Sequence, residues 1–379
     1  MTLDRRSFVN ATLAAAAGAI LPMERLWADA GGPGTIAAGL TAVGSSGSPV
    51  SLSAADLKDL RASLRGRLLL PQDAGYDQAR RFWDGAFDRH PALIVQAAGA
   101  KDVIQAVHFA RAHALLTAVR GGGHSVSAHI TACDGALMID LSRMRQVQVD
   151  PQRLLARAEG GVLLGEIDRK TQALGLVTTL GTATDTGIAG LTLGGGLGRL
   201  MRAFGLACDN LASVDIVTAD GRLRHASDAE NADLFWAIRG GGGNFGVVTA
   251  FEYRLHPFAH PVLAAHSVYP YSQAHSVFLA VTELAERMPD ELTLGVDLSN
   301  DARGRSVVWS AFHSGDPREG EKLLEPLKKL GTPVTDSMTA ESYLAAQGAA
   351  GTGPLAVPQG PAQYEKHGFV RDTPGALFV

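Results

Sequence analysis

An α+β fold is what the sequence predicts, and three patterns carry that expectation. First, a strand, a helix and a second strand follow one another from Pro91: Ala92-Leu93-Ile94-Val95-Gln96, then Ala100 to Ala114, then Leu116-Thr117-Ala118-Val119. The helix is expected to bury Val103, Ile104, Val107 and Ala110, and parallel strands need such a crossover. Second, short strands recur at Leu137–Leu141, Leu154–Glu159 and Ala212–Ala219, with a helix expected over Val162–Leu174 and a turn at Ala219-Asp220-Gly221-Arg222. Third, beyond Pro257 the segments Leu263–Tyr269, Thr293–Leu298 and Ser306–Phe312 alternate like strands of one sheet, and 272–288 and 317–330 read as amphipathic helices lying on it. Upstream, Ser53 is expected to cap a helix whose apolar face is Leu57, Leu60 and Leu64.

At 379 residues and 46% hydrophobic, the chain can bury a large core and has room for two domains. Its 34 basic and 38 acidic residues give a net charge of -4 without a long basic run, which argues against a nucleic-acid partner. With only Cys133 and Cys208, neither a disulfide framework nor a thiolate metal cluster is implied, and no metal site is expected.

Residues 1–30 are expected to be a targeting segment. Asp4-Arg5-Arg6-Ser7-Phe8-Val9 precedes an apolar, Ala-rich run from Ala11 to Leu21, the arrangement of a twin-arginine export signal, and Ala28-Asp29-Ala30 offers a small-x-small cleavage pattern. The run is short for a membrane anchor, so the chain is expected to engage the twin-arginine machinery and to be periplasmic or secreted. Residues 31–50, rich in Gly, Ser, Thr and Ala, read as a mobile leader. A first domain is placed at 51–258 and a second at 259–379.

The chemistry is concentrated in three Gly-rich segments: Arg120-Gly121-Gly122-Gly123-His124-Ser125 directly after a strand, Gly187 to Gly198, and Arg239-Gly240-Gly241-Gly242-Gly243-Asn244-Phe245-Gly246. Consecutive glycines let main-chain N–H groups turn toward a pyrophosphate without side-chain clash, and 44 glycines with few aromatics suit a fold whose backbone passes close to a large flat cofactor. None has the spacing of a P-loop. None is a clean Gly-x-Gly-x-x-Gly followed about 20 residues on by an acidic group, as a nicotinamide dehydrogenase requires.

In order, and together with Ile139-Asp140-Leu141-Ser142-Arg143-Met144, Gly205-Leu206-Ala207-Cys208-Asp209-Asn210 and Asp233-Leu234-Phe235-Trp236-Ala237-Ile238-Arg239, these segments resemble the berberine-bridge-enzyme-like FAD-linked oxidases, within the larger vanillyl-alcohol oxidase group. The resemblance is close over 80–260 and looser elsewhere. It implies a two-part FAD-binding domain followed by an α+β substrate domain with an antiparallel sheet. It also implies FAD attached through its 8α-methyl group to His124. Many relatives add a second bond from a cysteine, at the position held here by Ala183; a methyl group cannot form that thioether, so a single linkage is expected. Cys208 is expected to be a small buried residue. Further FAD contacts are expected from Arg120, Gly121, Gly122, Gly123, Ser125, Gly181, Thr186, Gly187 and Gly190 around the pyrophosphate and ring. Gly194, Gly195, Gly196 and Gly198 are expected to permit close approach, Asp209 and Asn210 to fix their loop, and Gly246, Val247 and Val248 to lie along the flavin or the adenosine. Arg239 pairs either with a phosphate or with an acidic neighbour.

The resemblance further implies hydride transfer from a carbon bearing a hydroxyl or amine, with dioxygen or another acceptor reoxidising the flavin, and Thr186 beside the site of oxygen access. The base is not identifiable from the sequence; Tyr269, Tyr271 and His313 are candidates by location alone. The family's terminal segment, a Tyr-Tyr-Gly-x-Asn-like motif, has no counterpart before Leu377-Phe378-Val379, so the second domain is expected to be incomplete. Two other readings remain: an NAD(P)-dependent dehydrogenase, and a flavin-binding protein with little turnover.

Overall fold

The structure, a computed structural model, describes residues 39–125, 133–301 and 304–348. The expected export signal, residues 31–38 of the expected leader and the chain end at Val379 lie outside the described residues.

The segment expected to be a leader is a correction. Leu40–Val43 (β1) and Pro49–Leu52 (β2) pair antiparallel as a hairpin, with Leu40 opposite Leu52 and Val43 opposite Pro49. Ala42 and Leu52 are buried in the same core as Leu57 and Leu93, and Val43 accepts a backbone hydrogen bond from Leu116 and donates one to Gly135. Strands of only four residues show too little alternation to be read, but pairing and docking give their backbone groups partners.

The helix Ala54–Ser63 begins as expected: Ser53 and Asp56 form a reciprocal capping box. Leu57 and Leu60 are buried beneath it, whereas Leu64 sits at its C-cap, half-buried. The first sheet holds Arg67–Leu69 (β3), Leu93–Gln96 (β4), Thr117–Arg120 (β5) and Leu137–Asp140 (β6) in the order β3-β4-β6-β5. Strands β4 and β5 are joined by the helix Ala100–Ala112 but are not neighbours, because β6 lies between them and pairs parallel with both. All four residues of β6 are buried, as a strand covered on both faces must be. Asp102, in the first turn of that helix, is buried and accepts from the backbone N–H groups of Arg65, Gly66 and Ala98 at 2.9, 2.9 and 2.7 Å.

The second sheet is antiparallel. In chain order its region contains Val147–Asp150 (β7), Leu155–Glu159 (β8), Leu176–Val177 (β9), Leu211–Val217 (β10), Leu223–Ser227 (β11), Val247–Arg254 (β12) and His256–Pro257 (β13). The sheet runs β11-β10-β12-β8-β7, and β9 pairs separately with β13. Alternation along β10 and β12 sends Val217 and Val247 into the first core, while Val214, Ile216 and Val248 enter a second core with Ile167, Phe235 and Ile238. The two sheets are thereby welded into one packed unit.

Val262–Pro270 (β14), Leu292–Asp301 (β15), Gly304–His313 (β16) and Thr335–Glu341 (β17) form the third sheet, antiparallel throughout in the order β15-β16-β14-β17. The helices Ala274–Ala285 and Pro317–Lys328 cover one face, where Trp309, Val277 and Leu324 are fully buried. Strand β17 escapes the sequence reading because Met338 is its only large apolar residue. Its far end leads through Ser342 into the short helix Tyr343–Ala346, which packs against the helix Leu164–Gln172 of the second sheet.

Asp102→Ala should cost about 3 kcal/mol or more, because three backbone donors lose a charged acceptor inside the protein. Urea unfolding checks this: a loss under about 1 kcal/mol would mean that water replaces the carboxylate.

Candidate functional site

Two loops cross at glycine. The turn after β5 brings Gly122 against Gly187 so closely that a Cβ on Gly122 would lie 2.3 Å from the backbone nitrogen of Gly187, and a Cβ on Gly187 would lie 2.3 Å from that of Gly122. Backbone against backbone leaves no side chain to swing aside, so both positions require glycine. The second loop is fixed independently: Leu164 and Gly165 donate to the carbonyls of Thr186 and Thr184, Ile188 donates to Val162, and Gly187 bridges Leu163. Gly121 faces Ala189, at 3.3 Å from an added Cβ. Gly123 has φ +78°, and its carbonyl accepts from the backbone of Trp83 at 2.9 Å.

This crossing delivers His124 to a defined place. Its Nδ1 lies 3.3 Å from Thr186 Oγ1, its Nε2 lies 3.2 Å from Asp185 Oδ2, and Trp83 stacks on the ring with centroids 5.1 Å apart. The contact to Asp185 is an electrostatic approach without hydrogen-bond alignment, so Nε2 is a buried polar atom lacking an aligned partner. Trp83 and Asp185 were not among the expected site residues. Asp185 lies between quoted residues of the second loop, whereas Trp83, in Arg80-Arg81-Phe82-Trp83-Asp84, carries no motif that could have marked it.

Other expected cofactor contacts have structural occupations. Arg120 ends β5 and pairs with Asp140 at the end of β6, 3.2 Å away, and it also donates to the carbonyl of Arg81. Asp140 in turn accepts from Gln96 and Ser142. The Arg120 guanidinium is therefore turned into the protein, under Gly123. Asp209 accepts from the backbone of Leu206, and Asn210 donates to the carbonyls of Phe204 and Leu206 and meets His256 Nε2 at 2.7 Å, so these two side chains fix the turn at 204–206 and not the Gly194–Gly198 loop they were expected to hold. Gly246 tucks against the carbonyl of Val217, with Val247 and Val248 buried in the two cores. Gly198 packs on the carbonyl of Leu180 and Gly196 on Ala207, while Gly181 is buried against Leu191 and Leu164. Ser125 is half-buried and Gly194 closes the helix Ile188–Leu193. Arg239 lies over the Phe235 ring, 3.9 Å from Asp228, and so takes the acidic neighbour. Cys133 and Cys208 form no disulfide, and Cys208 is buried as expected.

Open space lies elsewhere. A Cβ built on Gly190, Gly195, Gly240 or Gly243 meets nothing within 4 Å, and Gly240 donates to Leu193 at 3.0 Å, so the second and third Gly-rich segments adjoin. A side-chain-free surface of this kind suits a flat or phosphorylated group approaching the backbone.

The three candidate bases do not face the cofactor domain. Tyr269 is buried with its hydroxyl donating to Leu327 of a covering helix, and His313 packs on Gly320 of the same helix, where burial lowers its pKa. Tyr271 is exposed near Arg305. The side of the sheet toward the cofactor domain instead forms a cleft of about 250 Å³ with the segment around Leu197–Met201. Among the described residues no group of acidic, His or Cys side chains could hold a metal, and no helix is long and apolar enough to cross a membrane.

Residues 91–227 match the family described as FAD binding domain. This chain belongs to the FAD-linked oxidoreductases. It is 34% identical over 287 residues to (R)-6-hydroxynicotine oxidase of Paenarthrobacter nicotinovorans, covering 74% of this chain and 62% of that protein. Among solved structures, 6-hydroxy-D-nicotine oxidase from Arthrobacter nicotinovorans superposes with a TM-score of 0.72 at 33% identity, over 77% of this chain and 65% of that one. Glucooligosaccharide oxidase from Acremonium strictum, described with a 6-S-cysteinyl, 8α-N1-histidyl FAD, superposes with a TM-score of 0.67 at 27% identity, over 78% and 62%. The chain thus spans less than two thirds of the length of these relatives.

A buried polar cluster joins the third sheet to the second loop. Gln347 donates to the carbonyl of Gly181 and to Tyr343, both at 3.0 Å, and accepts from Arg199 Nε at 2.8 Å. Fully buried Asp168 lies beside it; burial raises its pKa from 3.8 to about 7, opposed in part by the Gln347 amide. The folded state therefore keeps a proton that the unfolded chain releases near pH 4, so stability contributed at this site is lost as pH rises from about 4 to about 7. Asp168→Asn should abolish that slope. Unfolding free energies from denaturant titration should match the parent near pH 4 and exceed it by about 4 kcal/mol at pH 8; a gap independent of pH would contradict the assignment.

Proposed function

We propose that the chain carries FAD covalently through His124, and that it oxidises a carbon bearing a hydroxyl or amine. The single observation that carries this reading is the placement of His124. A residue in a Gly-rich turn is held by Trp83 on one ring face, with Thr186 at one nitrogen and Asp185 at the other. A ring joined to a flavin carbon uses one nitrogen for the bond and keeps a lone pair on the other; the nitrogen beside Thr186 suits the bond, while the approach of Asp185 on the far side limits how the ring can turn. The glycines fit the group as well, since Gly190, Gly240 and Gly243 leave backbone uncovered where a phosphate or ring would approach. The histidyl attachment described for the glucooligosaccharide oxidase supports the same reading.

Bound FAD would supply a two-electron acceptor. The protein's part is to hold the substrate carbon against it and to exclude water. Ala183 is exposed and close in chain to Asp185, but its methyl group offers no sulfur for a second bond, so the attachment is single. Dioxygen or another oxidant completes turnover. The competing nicotinamide reading loses support to the match with the FAD binding domain.

Export belongs to the same proposal. Arg5 and Arg6 ahead of the apolar run favour a route that carries folded proteins, and covalent attachment keeps the cofactor on the chain after crossing. Arg5→Lys with Arg6→Lys should leave the chain in the cytoplasm by cell fractionation; undiminished export would point to a different route.

After acid precipitation the flavin colour should stay with the polypeptide, and in a denaturing gel the band should fluoresce. In His124→Ala the fluorescence should vanish from the band, with any bound FAD released into the supernatant. A band that remains fluorescent in this variant would place the linkage on another residue.

A further inference from the structure

The cleft between the cofactor domain and the third sheet is lined by Thr182, Leu197, Arg199, Thr293, Ser310 and Phe312, among others. Its volume of about 250 Å³ corresponds to roughly eight waters. Arg199 is its only charged side chain among the described residues. The guanidinium is held from behind. Its Nε donates to Gln347 Oε1, and its plane lies over Phe312, 5.7 Å from the ring centroid. The amide nitrogen of Gln347 is committed to Gly181 and Tyr343, so its oxygen must face Arg199. Thr293 fixes the main chain by donating to the Arg199 carbonyl at 3.0 Å. No described residue takes a hydrogen bond from either Nη.

We infer that this cleft admits a substrate bearing a carboxylate, gripped by the two Nη groups of Arg199. This rests on the oxidoreductase reading above and names its substrate class. A guanidinium secured through Nε presents its remaining edge as a fork, and a carboxylate matches that fork with two parallel hydrogen bonds. The surroundings do not already satisfy the charge. Tyr343 is kept neutral by burial, which pushes its pKa well above the usual range; Asp168 stays protonated up to about 7; and Glu341 acts on Arg199 without forming an ion pair. Burial also works against the charged form of Arg199, so an anion in the cleft recovers what desolvation costs. A cationic amine would meet repulsion there.

Benzoate, benzamide and benzamidinium share one shape and differ in charge, so they test the charge alone. Each is titrated calorimetrically into the purified 379-residue chain at pH 6.0, where Asp168 keeps its proton, and at low salt, with flavin content read from the visible spectrum of the same samples. Benzoate should bind at least ten-fold more tightly than benzamide, and benzamidinium should not bind. Arg199→Gln should erase the benzoate preference, Arg199→Lys should retain a weaker one, and Gln347→Leu should reduce it by loosening the fork; melting curves show that each variant is folded. Equal affinity for benzoate and benzamide, no binding of either, or a preference surviving in Arg199→Gln would overturn the inference. Samples without flavin would count against the oxidoreductase reading alone, because the comparison of the three probes stands without the cofactor.

Discussion

The close passage of Gly122 over Gly187 is the constraint on which the site depends. Each backbone occupies the volume that a Cβ on the other would need, so the two loops fit together only if both lack side chains. The first loop hangs from the first, mixed sheet through β5. The second is pinned to the antiparallel sheet's region through Val162, Leu164 and Gly165. The crossing is therefore a joint between the two halves of the cofactor domain, and His124 sits at it. Packing of Val217 and Val247 into one core and of Ile216 and Val248 into the next holds the halves at the spacing the joint requires.

A second joint ties the third sheet to the same loop. Gln347, which caps the C-terminus of the short helix Tyr343–Ala346, touches the Gly181 carbonyl at the start of the segment that ends on Asp185 and Thr186. Through Arg199 and Thr293 the contact extends to β15. Substrate cleft and cofactor loop therefore share a buried polar network, and such networks are costly when left half-satisfied. This gives the charge state of Asp168 and the orientation of Gln347 influence over both.

Much of this was legible in the residues. The strand–helix–strand unit, the alternating segments after Pro257 and the capping box at Ser53 follow local periodicity and side-chain chemistry, and local rules suffice for them. The homologues confirm the FAD-linked family that the Gly-rich segments suggested. The hairpin at Leu40–Leu52 and strand β17 were not legible, because their stability comes from pairing with distant backbone and not from an apolar pattern of their own. The same limit applies to the site. His124 and Thr186 were marked by motifs, whereas Trp83, Arg199 and Gln347 act through contacts across 41, 148 and 166 residues of chain that no spacing rule encodes. Arg120 shows the converse: a residue within the Gly-rich motif whose charge is committed to Asp140.

The central claim is that the glycine crossing positions His124 for attachment, and Gly187→Ala tests it most directly. Flavin retained on the polypeptide after acid precipitation should be measured against total protein for this variant and the parent, with circular dichroism confirming that the sheets persist. The account predicts a folded protein whose covalent flavin falls at least ten-fold, because the added methyl group must push the two loops apart and carry His124 away from Thr186 and Asp185. A folded Gly187→Ala chain with the parent's full covalent flavin would contradict it.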